Sequence, residues 1–125
     1  MLTNCKVGAI VFFVSDLARS VTFYRDTLGL PLELLDGHDG PWATGEVDGL
    51  ALVLIPRPAR AGESPVVVFS LEGGIDDYAE ALAARQVEIV VPVSESPDGG
   101  LSLDFLDPDG NVLSLHQPAG AVRRR

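Results

Sequence analysis

The chain has 125 residues and 13.2 kDa, with 46% apolar and 22% charged residues, the size and balance of one ordinary globular domain rather than a disordered tail. A single cysteine, Cys5, excludes an intrachain disulfide scaffold and reads as a free, inert thiol; 18 acids against nine bases, −9 at pH 7, argue against a nucleic-acid partner, which needs clustered Lys and Arg. No apolar run approaches the roughly 20 residues of a membrane span, and the opening Met1–Lys6 carries no secretory segment, so a cytoplasmic protein with no membrane partner is expected.

Residues 7–14 form a β-rich apolar run that ends at Ser15-Asp16, either of which can cap a helix. Leu17, Val21, Tyr24 and Leu28 then recur on one helical face, and Gly29 stops it. Strands are predicted over 32–35, 42–47 and 50–55, separated by turn formers at 36–41 and by Asp48-Gly49. A linker follows at 57–64, with two prolines flanking or inside it. The order then repeats: a strand over 66–71, a helix marked by Ile75, Ala79 and Leu82 with Asp76 and Asp77 in its first turn, and strands over 87–91, 101–106 and 112–116. Residues 92–100 read as a loop. Arg123, Arg124 and Arg125 read as a frayed basic tail; without them residues 1–122 carry six bases against 18 acids, a charge of −12.

The fold class predicted is α+β: two β-α-β-β-β modules, about 5–56 and 65–117, in a single domain over 1–122. Each small sheet buries one face under its own helix, and the other faces curl into a shared trough. Period-two alternation puts Ile10, Phe12 and Val14 on one side of the first strand and Ala9, Val11 and Phe13 on the other.

The segments Val14-Ser15-Asp16-Leu17 with Ser20–Leu30, and Phe105–Leu115 around Asp107-Pro108-Asp109-Gly110, closely resemble the opening and closing motifs of the vicinal oxygen chelate superfamily. That superfamily includes glyoxalase I, extradiol dioxygenases, fosfomycin-resistance enzymes and bleomycin-resistance proteins. Both motifs mark scaffold rather than chemistry: Phe23, Tyr24 and Leu28 are expected to pack the helix, and Asp107–Gly110 to form a turn.

The resemblance implies a divalent cation held by His and Glu in the trough, but those positions fall on Ala9, Val66 and Ser114, with a fourth near Val53. Ala and Val have no lone pair to give, and one serine hydroxyl is a poor sole ligand, so no metal, no cofactor and no catalytic residue are expected. His38 reads as a solvated turn residue, and Cys5 has no nearby histidine.

Alternation then nominates a ligand pocket lined by Ala9, Val11, Phe13, Val66, Val68, Ser70, Ser102, Asp104, Val112, Ser114 and His116, with Trp42 at its mouth and a weaker claim for Glu46. Asp104 would meet a cationic ligand group, and Phe13 and Trp42 could stack on a flat or cationic one, at about 0.5–2 kcal/mol per contact. The reading that follows is a metal-free binding protein of the bleomycin-resistance type. It would be a homodimer that sequesters a small, cationic, partly aromatic antibiotic, and would not be an enzyme. The alternatives are a glyoxalase- or dioxygenase-like metalloenzyme and a dimeric scaffold with a closed trough.

Overall fold

The computed structural model describes residues 1–60, 62–106, 108 and 110–125. Asp107 and Asp109 of the closing turn therefore lie outside the described residues. The first module runs β1 (Lys6–Val14), α1 (Leu17–Val21), β2 (Glu33–Gly37), β3 (Gly40–Val47) and β4 (Leu50–Pro56); the second runs β5 (Val66–Ser70), α2 (Ile75–Ala84), β6 (Ile89–Glu95), β7 (Leu101–Leu106) and β8 (Val112–Gln117). The fold is thus α+β, with the predicted β-α-β-β-β order twice.

All eight strands share one curved sheet in the order β2-β3-β4-β1-β5-β8-β7-β6. β1 and β5 meet antiparallel at its centre, and each is flanked in parallel by the last strand of its own module, β4 and β8. The two halves are therefore related by an approximate two-fold through the β1–β5 pair. Asp48 and Gly49 both take positive φ, 53° and 79°, as a tight hairpin turn matched to sheet twist requires. The sheet curls far enough that His38, on the β2–β3 turn, lies 3.7 Å from Glu95 at the end of β6 while also contacting Asp39 at 3.1 Å. His38 is thus a contact between the two ends of the sheet rather than a purely solvated turn residue.

Alternation divides the faces. On the convex side Leu103, Phe105 and Leu115 join Leu71, Ile75 and Leu82 under α2, and Val21, Leu32, Ala43 and Leu54 form a second cluster with Phe12 and Val14 under α1. Each fully buried aliphatic side chain there contributes about 1.5–3 kcal/mol.

The first helix departs from the periodicity. Asp16 caps it by accepting from the Arg19 N–H at 3.1 Å, but from Thr22 to Thr27 it widens into a π-helix. A π residue turns the chain through less angle than an α residue, so positions set by a 3.6 period drift off the sheet. Phe23 and Leu28 are accordingly 50% and 52% exposed, and of the three expected packing residues only Tyr24 joins the core.

β6 is also longer than its predicted strand, continuing through Pro92 to Glu95. A proline is tolerated there because β6 is an edge strand whose pairing with β7 is irregular between Val91 and Ser94.

The terminal arginines do not fray. The Gly74 and Asp76 N–H groups donate to the carbonyls of Val122 and Arg123 at 2.7 and 3.0 Å. Arg123 grips Asp76 with two 2.9 Å bonds, and Arg124 reaches Glu80 at 2.6 Å. Gln117 completes the clamp, accepting from the Ile75 N–H at 3.0 Å and donating to the Ala121 carbonyl at 3.1 Å. The first-turn acids Asp76 and Asp77 thus serve the tail as well as the helix dipole. Truncation before Val122 is expected to lower the thermal midpoint by about 5 °C, through the lost backbone bonds, whereas Arg123→Ala alone, on the surface, moves it far less. Thermal denaturation of the two variants checks this.

Candidate active site

The concave face is built row by row from strand register. Ala51, Ala9, Val68, Ser114 and Asp104 are successive cross-strand neighbours over β4, β1, β5, β8 and β7. The next row holds Thr44, Val53, Val11 and Val66, and on the other side Ser70, His116 and Ser102 are neighbours in turn. These rows enclose a cavity of about 490 Å³ within a single chain. Its wall is mostly apolar.

Ala9, Val11, Phe13, Trp42, Val66, Val68, Ser70, Ser102, Asp104, Ser114 and His116 all line this cavity, as does Val53. Val112 does not: it pairs with Leu106 at the far end of the β7–β8 ladder, outside the cavity wall. Glu46 is exposed and also absent from the wall. Gly8, Arg57, Ser96 and Asp98 line it too and were not nominated. Gly8 faces it because β1 slips register between Val7 and Ala9.

Two acidic groups give the cavity its electrostatics, and their surroundings push them in opposite directions. Burial in the apolar wall raises the Asp104 carboxyl above the ordinary carboxylate range, although the neighbouring Ser114 hydroxyl and the charge of Arg57 oppose this. Burial also pushes Asp98 upward, but the Gly100 N–H, His116 and the Ser96 hydroxyl together hold it below its ordinary value. The bonds are short: Gly100 N–H at 2.9 Å, Ser96 Oγ at 2.8 Å and His116 Nε2 at 2.9 Å. The Asp98 carboxylate stands as acceptor to His116 Nε2, so the tautomer this contact favours carries its lone pair on Nδ1. Asp104 and His116 are diagonal neighbours on adjacent strands, a separation of about 7–8 Å.

The pair depends on Gly100. A Cβ at that position would collide with the Gln117 carbonyl oxygen and stand 2.7 Å from His116 Nε2 and 3.1 Å from Asp98 Oδ1. Gly100→Ala is expected to cost about 1–3 kcal/mol and to displace the imidazole. A lowered thermal midpoint with shifted His116 ring resonances in NMR spectra is the check.

At the other end of the cavity stand Phe13, Trp42 and Arg57. The Arg57 guanidinium lies 4.3 Å from the Phe13 ring centroid. One face of the Phe13 ring is therefore covered by the protein's own cation. The Trp42 indole N–H is buried beside Gly37 and has no acceptor among the described residues.

The residues at the superfamily's metal positions do not fit a divalent cation. Ala9, Val66 and Val53 carry no donor side chain, which leaves the neutral Ser114 hydroxyl as a sole and weak oxygen donor. Among the described residues no three His, Cys, Asp or Glu side chains converge as a ligand set. Asp98 and His116 are bonded to one another, with Asp104 apart from them.

Similarity to known proteins bears on what such a site does. The chain is 31% identical to the glutathione transferase FosA of Serratia marcescens over 126 residues, covering 94% of this chain and 84% of that one. It is 31% identical to the metallothiol transferase FosB of Staphylococcus epidermidis over 115 residues, with coverage of 89% and 80%. A solved glyoxalase/bleomycin resistance protein/dioxygenase superfamily member from Vibrio splendidus superposes with a TM-score of 0.64 at 17% identity, over 91% of this chain and 98% of that one, a likeness of fold. The relatives over most of both lengths are enzymes named as transferases, which overturns the expectation of a non-enzymatic, metal-free sequestration protein. None of the helices among the described residues is long and apolar enough to cross a membrane. With the model of the Glyoxalase/Bleomycin resistance protein/Dioxygenase superfamily matching residues 6–115, the chain belongs to that superfamily.

Proposed function

We propose that the chain is an enzyme that adds a small thiol to a small electrophile in the trough, using proton transfer by its own side chains. The observation that carries this reading is one cavity lined by His116, bonded to Asp98 at 2.9 Å, and by Asp104, with burial raising Asp104 while its hydrogen bonds hold Asp98 low. Titratable groups pushed apart in this way divide into an acid and a base. The thiol class comes from the names of the transferase relatives.

In the step proposed, His116 Nδ1 takes the thiol proton while Asp98 holds the ring through Nε2. Sulfur forms a bond to the electrophilic carbon, and that carbon's bond to oxygen breaks, or its carbonyl π bond does. The oxygen receives the Asp104 proton. The product is the sum of the two reactants, and solvent returns a proton from His116 to Asp104. Every group named comes from one chain, so the chemistry is the same for a monomer and for the homodimer that the resemblance implies. Modification of a toxic small molecule is the form of resistance this chemistry would provide.

The test is mass-spectrometric detection of adducts between low-molecular-weight thiols, glutathione among them, and a panel of epoxides and activated carbonyls, with chelator present. Adducts formed faster than in protein-free controls are the expected result. Turnover that appears only when a divalent cation is added would remove the side-chain reading.

A further inference from the structure

We propose that the β2–β3 turn and the end of β6 form a strap across the mouth of the trough, held shut when His38 is protonated and released when it is neutral. The inference concerns access to the cavity and does not depend on the chemistry proposed within it.

The two elements belong to opposite edges of the sheet. β2 and β6 stand at the two ends of the strand order and share no ladder. Elsewhere each strand is held to its neighbour by backbone hydrogen bonds, whereas these edges meet through one imidazole. His38 Nε2 lies 3.1 Å from Asp39 on its own turn, and Nδ1 lies 3.7 Å from Glu95 at the end of β6. Among the described residues no other charged side chain stands within ion-pair distance of His38; Arg57, just after β4, lines the adjoining cavity with Asp39.

That adjoining cavity is the vestibule of the trough. It has a volume of about 310 Å³, with Asp39 from the β2–β3 turn and Pro97 from the β6–β7 turn in its wall. It shares Phe13, Trp42 and Arg57 with the larger cavity. Glu95 lies two residues before Pro97, so a strap fastened at Glu95 draws the two turns together over this passage.

The ring chemistry makes the fastening depend on charge. A protonated imidazole carries an N–H on both nitrogens and attracts both carboxylates; a neutral one carries a single N–H. The shorter contact with Asp39 favours the tautomer with its proton on Nε2, which leaves the bare Nδ1 facing Glu95. Loss of the proton therefore releases Glu95 first. The end of β6 can yield, because its pairing with β7 is irregular between Ile89 and Ser94 and Pro92 supplies no N–H. Both side chains of the contact are exposed, and an exposed pair shifts an equilibrium by only about twofold to fivefold. The strap thus adjusts access rather than locking it.

Trp42, the chain's only tryptophan, lines both cavities, so quenching of its fluorescence by acrylamide, a neutral probe, reports passage beneath the strap. Quenching rate constants are taken from fluorescence lifetimes between about pH 5 and about pH 8, the range in which histidine changes charge, for the parent, Glu95→Gln, His38→Gln and His116→Gln. The parent constant is expected to rise with pH by about twofold to fivefold. Glu95→Gln and His38→Gln should give flat profiles at the level the parent reaches in alkali, and His116→Gln should keep the step. A parent profile without a step, a step that survives in Glu95→Gln, or one that disappears in His116→Gln overturns the strap.

Discussion

Asp104→Asn is expected to lower kcat by about 10²–10⁴-fold while leaving the chain folded, with a thermal midpoint that gains on that of the parent as pH rises. Both parts come from the same burial. In the folded chain the carboxyl binds its proton more tightly than an exposed aspartate does. Its contribution to stability is therefore present below the ordinary carboxylate range and is lost as pH rises through the raised value. Above that value a charge sits in an apolar wall, opposed only in part by Ser114 and Arg57. Asparagine keeps the shape and removes the charge, so its stability relative to the parent should improve as pH rises. Activity has the same origin: as a proton donor Asp104 must be neutral, so the rate falls on the alkaline side as the raised carboxyl ionises. Denaturation and kcat measured across pH for both proteins test the two parts together. Unchanged kcat, or a midpoint that falls further below the parent's as pH rises, would make Asp104 a structural anchor instead.

Strand alternation made the trough legible because a β-strand permits only two faces. Choosing the face of β1 that holds Ala9, Val11 and Phe13 chose the faces of β5, β7 and β8 as well, since cross-strand neighbours share a side. The same alternation over-reached at Val112, where the pattern continues past the end of the cavity. Arg57 and Asp98 could not be found this way. They lie just outside β4 and between β6 and β7, where no period applies, and they reach the cavity because the sheet curls. A Gly-Gly pair directly before β7, preceded by Ser96-Pro97-Asp98, was the available hint of a tight turn with an Asp side chain bonding its own backbone. The π-helical segment had no signal in the apolar spacing, which fits an α-helix through Leu28.

The function was misread for a related reason. Ala9, Val66 and Ser114 supply no strong metal donor, but weak donors at those positions do not imply missing chemistry. An acid and a base arranged by the fold can polarise and relay protons without a Lewis acid. The Asp98–His116 contact joins residues 18 positions apart and depends on how β8 lies beside the β6–β7 turn. Neither residue is diagnostic in sequence. A cationic ligand meeting Asp104 would find a carboxyl raised by burial, with one face of Phe13 already stacked with Arg57.

Asp98→Asn should reduce kcat by about 10²-fold or more with little change in KM, and His116→Ala by about 10²–10⁴-fold. Asp98 touches no reacting atom in the proposed step; it positions His116 and holds the proton on Nε2. An asparagine at that position can still accept from Gly100 through its oxygen, but it turns an N–H donor toward Nε2. That favours the tautomer with the proton on Nδ1, and the base is lost without any collapse of the turn. The pH dependence separates this from a packing defect. Because the Asp98 carboxyl is held below its ordinary value, its stabilising contribution is present above that value and disappears as pH falls through the depressed one. The parent should therefore lose its stability advantage over Asp98→Asn in acid, whereas a packing defect would persist at every pH. Since both residues act through one imidazole, the double variant should be no slower than His116→Ala. Losses that multiply instead would mean that Asp98 acts independently of His116.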